Sequence, residues 1–260
     1  MSEASVLLTQ IENGIARLIL NRPERYNALS QQLLTELQQA LDAIAVNDTV
    51  RVVILAAGGK AFCAGHDLKE MRSREDRDFH QSLFRQCSCV MQTIADLPQP
   101  VIAQINGIAT AAGCQLVAQC DLAVASEVSQ FAVSGINVGL FCSTPAVPLS
   151  RNLHRKRALQ MLLTGDFIDA ATACEYGLLN RVTTVDALEA ETQVLAEKIA
   201  AKSSLAIKMG KRLFYQQLSM NLADAYEIAG DTMACNMDSA DAREGIDAFM
   251  QKRKPAWQDQ

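Results

Sequence analysis

The sequence predicts an α/β fold, a layered spiral of strand–strand–helix units carrying a helical module at its C-terminal end. Three observations lead there. Apolar runs of strand length recur at Val50 to Ala57, Val101 to Ile105 and Leu122 to Ala125. Between them lie stretches with apolar residues at helical spacing, several of them closed by glycine or proline. From Asp186 onward no strand signal remains and everything reads as helix. Periodicity alone gives only the α/β class. The loss of strand signal places a boundary near residue 200, with an α/β core over 1–200 and a helical module over 201–260.

Each element has a local reason. Gly14 to Leu20 alternates loosely as a strand, and Asn21-Arg22-Pro23 stops it. Ser30 is a good N-cap for a helix to about Ile44, with Leu33, Leu34, Leu37 and Leu41 on one face. The strand Val50 to Ala57 opens into a loop at Gly58-Gly59. Lys69 to Asp78 is dense in charge and reads as a solvated helix start. A long helix follows from about Phe79 to Leu97, with Leu83, Phe84, Cys87, Val90, Met91 and Ile94 at helical spacing and Pro98 closing it. Val124 to Ser126 and Gln130 to Ala132 are short strand-like pieces, and Gly135 to Pro148 reads as irregular and apolar. A helix from about Arg155 to Leu163 ends at Gly165. Asp169 caps the next, Ala170 to Tyr176, which ends at Gly177. Helices over about 187–201, 205–217, 221–237 and 240–252 complete the chain.

Composition removes several function classes. Hydrophobic residues make up 49% and charged residues 20%, an ordinary balance for a soluble globular protein, and the net charge of −5 does not suggest a nucleic-acid partner. No apolar run is long enough for a membrane span. The N-terminus lacks a basic-then-apolar signal pattern, so a cytoplasmic location is expected by default. The eight cysteines form no Cys-x-x-Cys, and the three histidines, His66, His80 and His154, stand singly; no metal is expected. Neither Gly-x-Gly-x-x-Gly nor a P-loop is present.

Two stretches carry chemistry. Asn106 to Asp121, NGIATAAGCQLVAQCD, sets a turn of small residues and a short helix between two buried strands. Gly58 to Met71, GGKAFCAGHDLKEM, is a second small-residue loop at a strand end. A backbone stripped of side chains can approach a ligand closely, and helix starts leave N–H groups without partners. One N–H from each loop would make a two-donor oxyanion hole. At these residues the chain resembles the crotonase, or enoyl-CoA hydratase/isomerase, superfamily. Leu20-Asn21-Arg22-Pro23 with Asn27-Ala28-Leu29, the FCAGHDL loop, the AAGC turn ending in Cys120-Asp121, and Leu163-Thr164-Gly165 with Gly177-Leu178 stand in family order. Within the superfamily the AAGCQLVA and GLFCST segments are similar to those of the enoyl-CoA hydratase domain-containing protein 3 subgroup.

The resemblance implies a ββα superhelix, an acyl-CoA or enoyl-CoA thioester as substrate, and trimers, often paired as hexamers, built on the helical module. No cofactor is implied beyond the coenzyme A that the substrate carries. The family's two backbone donors map to His66 and Ala112, and its substrate-contact segment to Ala64, His66, Asp67, Leu68 and Lys69. Arg22 and Arg25 fall where the family often places cations near the CoA phosphates, and the basic run Lys252-Arg253-Lys254 is a further candidate. Two catalytic carboxylates are missing. Hydratases of the family carry glutamates where this chain has Gln115 and Gly135. Glutamine cannot take a proton at neutral pH and glycine has no side chain. If each carboxylate contributes about 10²–10⁴-fold, ordinary hydratase activity is expected to be severely reduced. His66 is then a candidate acid or base, and Cys142 and Ser143 are candidate nucleophiles without a local histidine in sequence. Two functions stay open: a hydratase/isomerase-like enzyme with altered chemistry, or a non-catalytic acyl-CoA-binding or regulatory protein of fatty-acid metabolism.

Overall fold

The computed structural model describes residues 5–74 and 76–259. Its strands lie in two sheets. The larger has the order β1 (Leu7–Glu12), β2 (Ile15–Leu20), β3 (Val52–Ala57), β5 (Val101–Ile105), β7 (Leu122–Ser126) and β10 (Arg181–Thr183). The smaller has the order β4 (Ala61–Cys63), β6 (Ile108–Thr110), β8 (Gln130–Ala132) and β9 (Ile168–Asp169). β1 pairs antiparallel with β2 and β8 with β9, while every other pairing is parallel. The chain therefore steps from the large sheet to the small one three times, from β3 to β4, β5 to β6 and β7 to β8. This repeat is the spiral.

The helices close the layers. α1 (Gln31–Ala45) is capped by Ser30, whose Oγ accepts the Leu33 N–H at 3.2 Å. It packs with α3 (Arg77–Asp96) over one face of the large sheet, where Leu18, Leu34, Leu83, Val90 and Phe62 share the main core. α8 (Leu188–Ala200) covers the other face, burying Leu188 and Ala196 against Ile54, Ile102 and Val124. A parallel sheet covered on both faces explains why β3 and β5 read as continuous apolar runs. Between these lie α2 (Leu68–Ser73), α4 (Ala112–Gln119), α5 (Ser143–Asn152), α6 (Arg155–Thr164) and α7 (Ala170–Glu175). Then come α9 (Ser204–Gln217), α10 (Leu222–Met237) and α11 (Ala240–Met250).

α9 is tied to the spiral by one buried cluster. Lys211 Nζ donates to Asp121 Oδ2 at 2.7 Å and to the carbonyls of Ile94 and Gln99. Tyr215 donates to Asp121 Oδ1 at 2.7 Å, and Val101 N–H reaches Oδ2 at 2.6 Å. The Asp121 that closes the central sequence stretch thus joins β5, the start of β7 and the C-terminal helices.

The structure corrects the sequence expectations in several places. β1 goes unannounced because its residues after Leu7 are exposed and show no buried alternation. The strands of the small sheet are two or three residues long, too short for periodicity, so β4 and β6 read as small-residue turns. Lys69 to Asp78 holds a separate short helix, α2, before α3 begins at Arg77. The stretch Gly135 to Pro148 is less irregular than expected, with a 3-10 turn over Ser134–Val138 followed by α5. Pro145 and Pro148 hid that helix; Pro145 lies in its first turn, where no amide partner is needed.

Candidate active site

Two loops meet at one point. The first leaves β4 and enters α2. Its anchor is Asp67, the N-cap of α2, whose Oδ1 accepts the N–H groups of Lys69 and Glu70 at 3.1 and 3.3 Å. Arg22 pairs with Asp67 Oδ2 at 3.1 Å and also donates to the Ala28 carbonyl at 2.6 Å. Burial acts to raise the Asp67 pKa, but the helix N–H groups and Arg22 outweigh it, and the pKa lies below the ordinary carboxylate value. Leu29 then pairs with the loop: its N–H donates to Gly65 O at 2.8 Å and its carbonyl accepts Asp67 N–H at 3.1 Å. In a parallel bridge these two bonds flank residue 66, so the His66 N–H points to the opposite side.

The second loop leaves β6 and enters α4. Ala111, the N-cap, sits at φ 50°, ψ −120°, a conformation rare outside glycine. It starts the helix at Ala112, whose N–H has no intrahelical acceptor by position. Gly65 brings the loops together. Its φ is +91°, and an added Cβ would stand 2.9 Å from Ala111 Cβ and 3.2 Å from Ala112 N. We expect Gly65→Ala to cost about 1–3 kcal/mol and to separate the loops. A urea midpoint reads the stability, and calorimetry with butyryl-CoA reads the pocket. Unchanged values of both would contradict this geometry.

The two loops open on a cavity of about 400 Å³, within the size range of ligand pockets. His66, Phe84, Ala112, Gly135, Phe141 and Cys142 contribute to its wall. No Asp, Glu, Lys or Arg lines it among the described residues. Ala64, Leu68 and Ser143 are also on the wall, whereas Arg22, Arg25, Asp67, Lys69 and Gln115 are not. Arg22 is engaged with Asp67 and Ala28, and Arg25 and Lys69 are exposed. Arg253 is held by Glu244 at 2.5 and 2.8 Å. Gln115 is buried, and its Oε1 has no partner. Gly135 has no room for a side chain: an added Cβ would stand 2.6 Å from Leu140 O and 2.7 Å from Cys142 Sγ.

The His66 imidazole packs against Phe84, ring centres 5.3 Å apart, and neither ring nitrogen has a hydrogen-bond partner. The nearby Leu29 carbonyl acts to raise its pKa but sits outside bonding geometry; it already accepts from Asp67. Burial dominates and lowers the pKa from 6.5 to about 4, so the ring is neutral at physiological pH. As pH falls from 6.5 to about 4 the unfolded chain takes a proton that the folded ring refuses. At about 1.4 kcal/mol per pH unit, ~3 kcal/mol of stability is lost across that window. His66→Phe removes this loss, so its stability advantage over the parent grows as pH falls from 6.5 to 4. Parallel stability–pH curves for the two proteins would contradict the assignment. Burial likewise pushes the Cys142 thiol up, while the Gly135 N–H pulls it down.

Several wall residues had no sequence signal of their own. Phe84 sits on the apolar face of α3 and reads as core. Ser134, Val138, Leu140 and Phe141 belong to the stretch that looked irregular. The GLFCST segment, Gly139 to Thr144, was the available clue.

Comparison with known proteins gives a consistent picture. The family model described as enoyl-CoA hydratase/isomerase matches residues 10–260. The mouse protein named enoyl-CoA hydratase domain-containing protein 3, mitochondrial, is 47% identical over 98% of this chain and 85% of its own length. The Pongo abelii protein named enoyl-CoA hydratase, mitochondrial, is 34% identical over 95% of this chain and 85% of its own. A crystal structure described as enoyl-CoA hydratase of Mycobacterium smegmatis superposes with a TM-score of 0.95 at 54% identity, over 97% of this chain and 98% of that one. The human domain-containing protein 3 structure gives 0.95 at 46%, over 97% and 100%. These relatives correct the location read from sequence. The mouse, zebrafish and human proteins are named as mitochondrial, which points away from the cytoplasm. The earlier expectation was a default drawn from a missing apolar run, which carries no positive information.

Proposed function

We propose, from the premise that this chain belongs to the enoyl-CoA hydratase/isomerase family, that its cavity binds acyl-CoA thioesters and holds the thioester oxygen between the N–H groups of His66 and Ala112. One observation carries the reading. Gly65 brings a helix-start amide and an amide turned away from its own bridge to the mouth of one apolar cavity. N–H groups fixed in this way bind an oxygen more tightly as it gains negative charge, and losing one typically costs about 3–4 kcal/mol of barrier. The apolar wall suits an acyl chain, and the coenzyme A comes with the substrate. On this reading the protein is an enzyme of the lyase or isomerase kind whose proton transfers are altered.

Hydration needs a base for water and an acid for the α-carbon. The cavity wall offers neither carboxylate, and the neutral His66 ring is a weak base whose nitrogens are shut away. Slow or absent hydration is therefore expected. The same observation favours the second reading, a binding or regulatory protein of fatty-acid metabolism that keeps the pocket without turnover. Exposed Phe214, Leu218, Leu222, Tyr226, Phe249 and Met250 on α9–α11 favour a helical module, residues 201–260, that packs against further copies as a trimer or hexamer.

The experiment is loss of enoyl-thioester absorbance from crotonyl-CoA, with calorimetry for binding. We expect binding with turnover at least about 10²-fold below an ordinary hydratase. Failure of crotonyl-CoA and butyryl-CoA to bind would overturn the reading.

A further inference from the structure

The cavity holds a nucleophile that hydration does not use. Cys142 is the N-cap of α5 and lines the same wall as His66 and Ala112. Its side chain makes no cap hydrogen bond to α5. The Sγ stands 2.7 Å from where a Cβ on Gly135 would be. The sulfur thus occupies the space that a side chain at 135 would need. Thr144 also lines the wall; the other polar groups there are held or shut away. Ser134 Oγ is bonded to Thr110 at 2.8 Å, Ser143 Oγ contacts the Phe141 carbonyl at 3.3 Å, and the His66 nitrogens are closed off. No acidic or cationic side chain lines the wall among the described residues.

An α,β-unsaturated thioester is electrophilic at its β-carbon, and holding its carbonyl oxygen between two N–H groups makes it more so. Water needs a base to attack that carbon; a thiolate is intrinsically the better nucleophile, and Cys142 must ionise to supply it, against the burial that pushes its pKa up. We infer that Cys142 adds to the β-carbon of enoyl-CoA thioesters bound in this cavity, capturing them as a thioether. The inference rests on the acyl-CoA reading above. In the step, the Sγ–Cβ bond forms as the α,β π bond opens. The electron pair passes to the thioester oxygen as an enolate held by His66 and Ala112. The thiol proton ends on the α-carbon, the carbonyl re-forms, and the coenzyme A stays attached. Nothing else is consumed.

The test is intact mass after incubation with crotonyl-CoA and acid quench, followed by peptide mapping, beside calorimetry with butyryl-CoA. The expected result is one addition of the mass of the whole crotonyl-CoA, mapped to Cys142 and absent with butyryl-CoA. Cys142→Ser should form no adduct, and calorimetry with butyryl-CoA reads whether its pocket is folded. Three results would overturn the inference: crotonyl-CoA binding with no adduct, an adduct mapped to the exposed Cys89 or Cys235, or gain of the acyl group alone. If neither ester binds, the acyl-CoA reading falls as well.

Discussion

Restoring both glutamates, as Gln115→Glu with Gly135→Glu, should not restore hydration of crotonyl-CoA. Counting side chains alone predicts the opposite, since each carboxylate is worth about 10²–10⁴-fold. The obstacle is the backbone around them. A Cβ at 135 would stand 2.6 Å from Leu140 O and 2.7 Å from Cys142 Sγ, so even alanine needs the 135–142 segment to move. The thiol can rotate, but the carbonyl cannot move without the turn it closes, where Leu140 N–H donates to Gly135 O at 2.9 Å. Overpacking of this kind costs about 1–3 kcal/mol. Gln115 adds a second obstacle: it does not line the cavity, and a glutamate buried there without a cation would stay protonated. Turnover measured for the double variant should match the parent within error. A gain of about 10²-fold or more would show that the pocket had lost only two side chains.

Asp121→Ala should be the most destabilising of the polar substitutions, by about 3–5 kcal/mol. It leaves Lys211, 7% exposed, without its anion, and strips Tyr215 and the Val101 N–H of an acceptor. Burial already lowers the Lys211 pKa, and Asp121 acts to hold the charge. A combined Asp121→Leu, Lys211→Met variant should lose less than Asp121→Ala alone, because no unpaired charge remains. Urea unfolding of the three proteins decides it. A shift within about 0.5 kcal/mol for Asp121→Ala would mean the cluster carries no net stability.

How much of this was legible in sequence depends on the range over which each feature is set. Ser30, Asp169 and Gly165 act on their own helices and could be read directly. β3 and β5 could be read because both faces are buried. In the small sheet only β8 could be read; β4, β6 and β9 could not, since such short strands are defined by what they pair with. The meeting of the donor loops was anticipated by family resemblance to His66 and Ala112; Gly65, which makes the contact physically possible, was seen only as one of several small residues. The resemblance places the hydratase glutamates at Gln115 and Gly135, which hold no carboxylate. That Cys142 Sγ lies against Gly135 could not be read, because six residues separate the two in sequence. Arg22 reads as a phosphate contact beside a proline, yet its partner Asp67 lies in another loop and no local pattern joins them.

On the proposed function, the His66 and Ala112 amides hold a thioester oxygen. The carbonyl stretch of butyryl-CoA, labelled with carbon-13 at the thioester carbon and recorded by difference infrared spectroscopy, tests it without requiring turnover. The bound band is expected at lower frequency than the free ester, with a return toward the free position in Gly65→Ala. A bound band at the free-ester frequency, with calorimetry showing the site full, would contradict it.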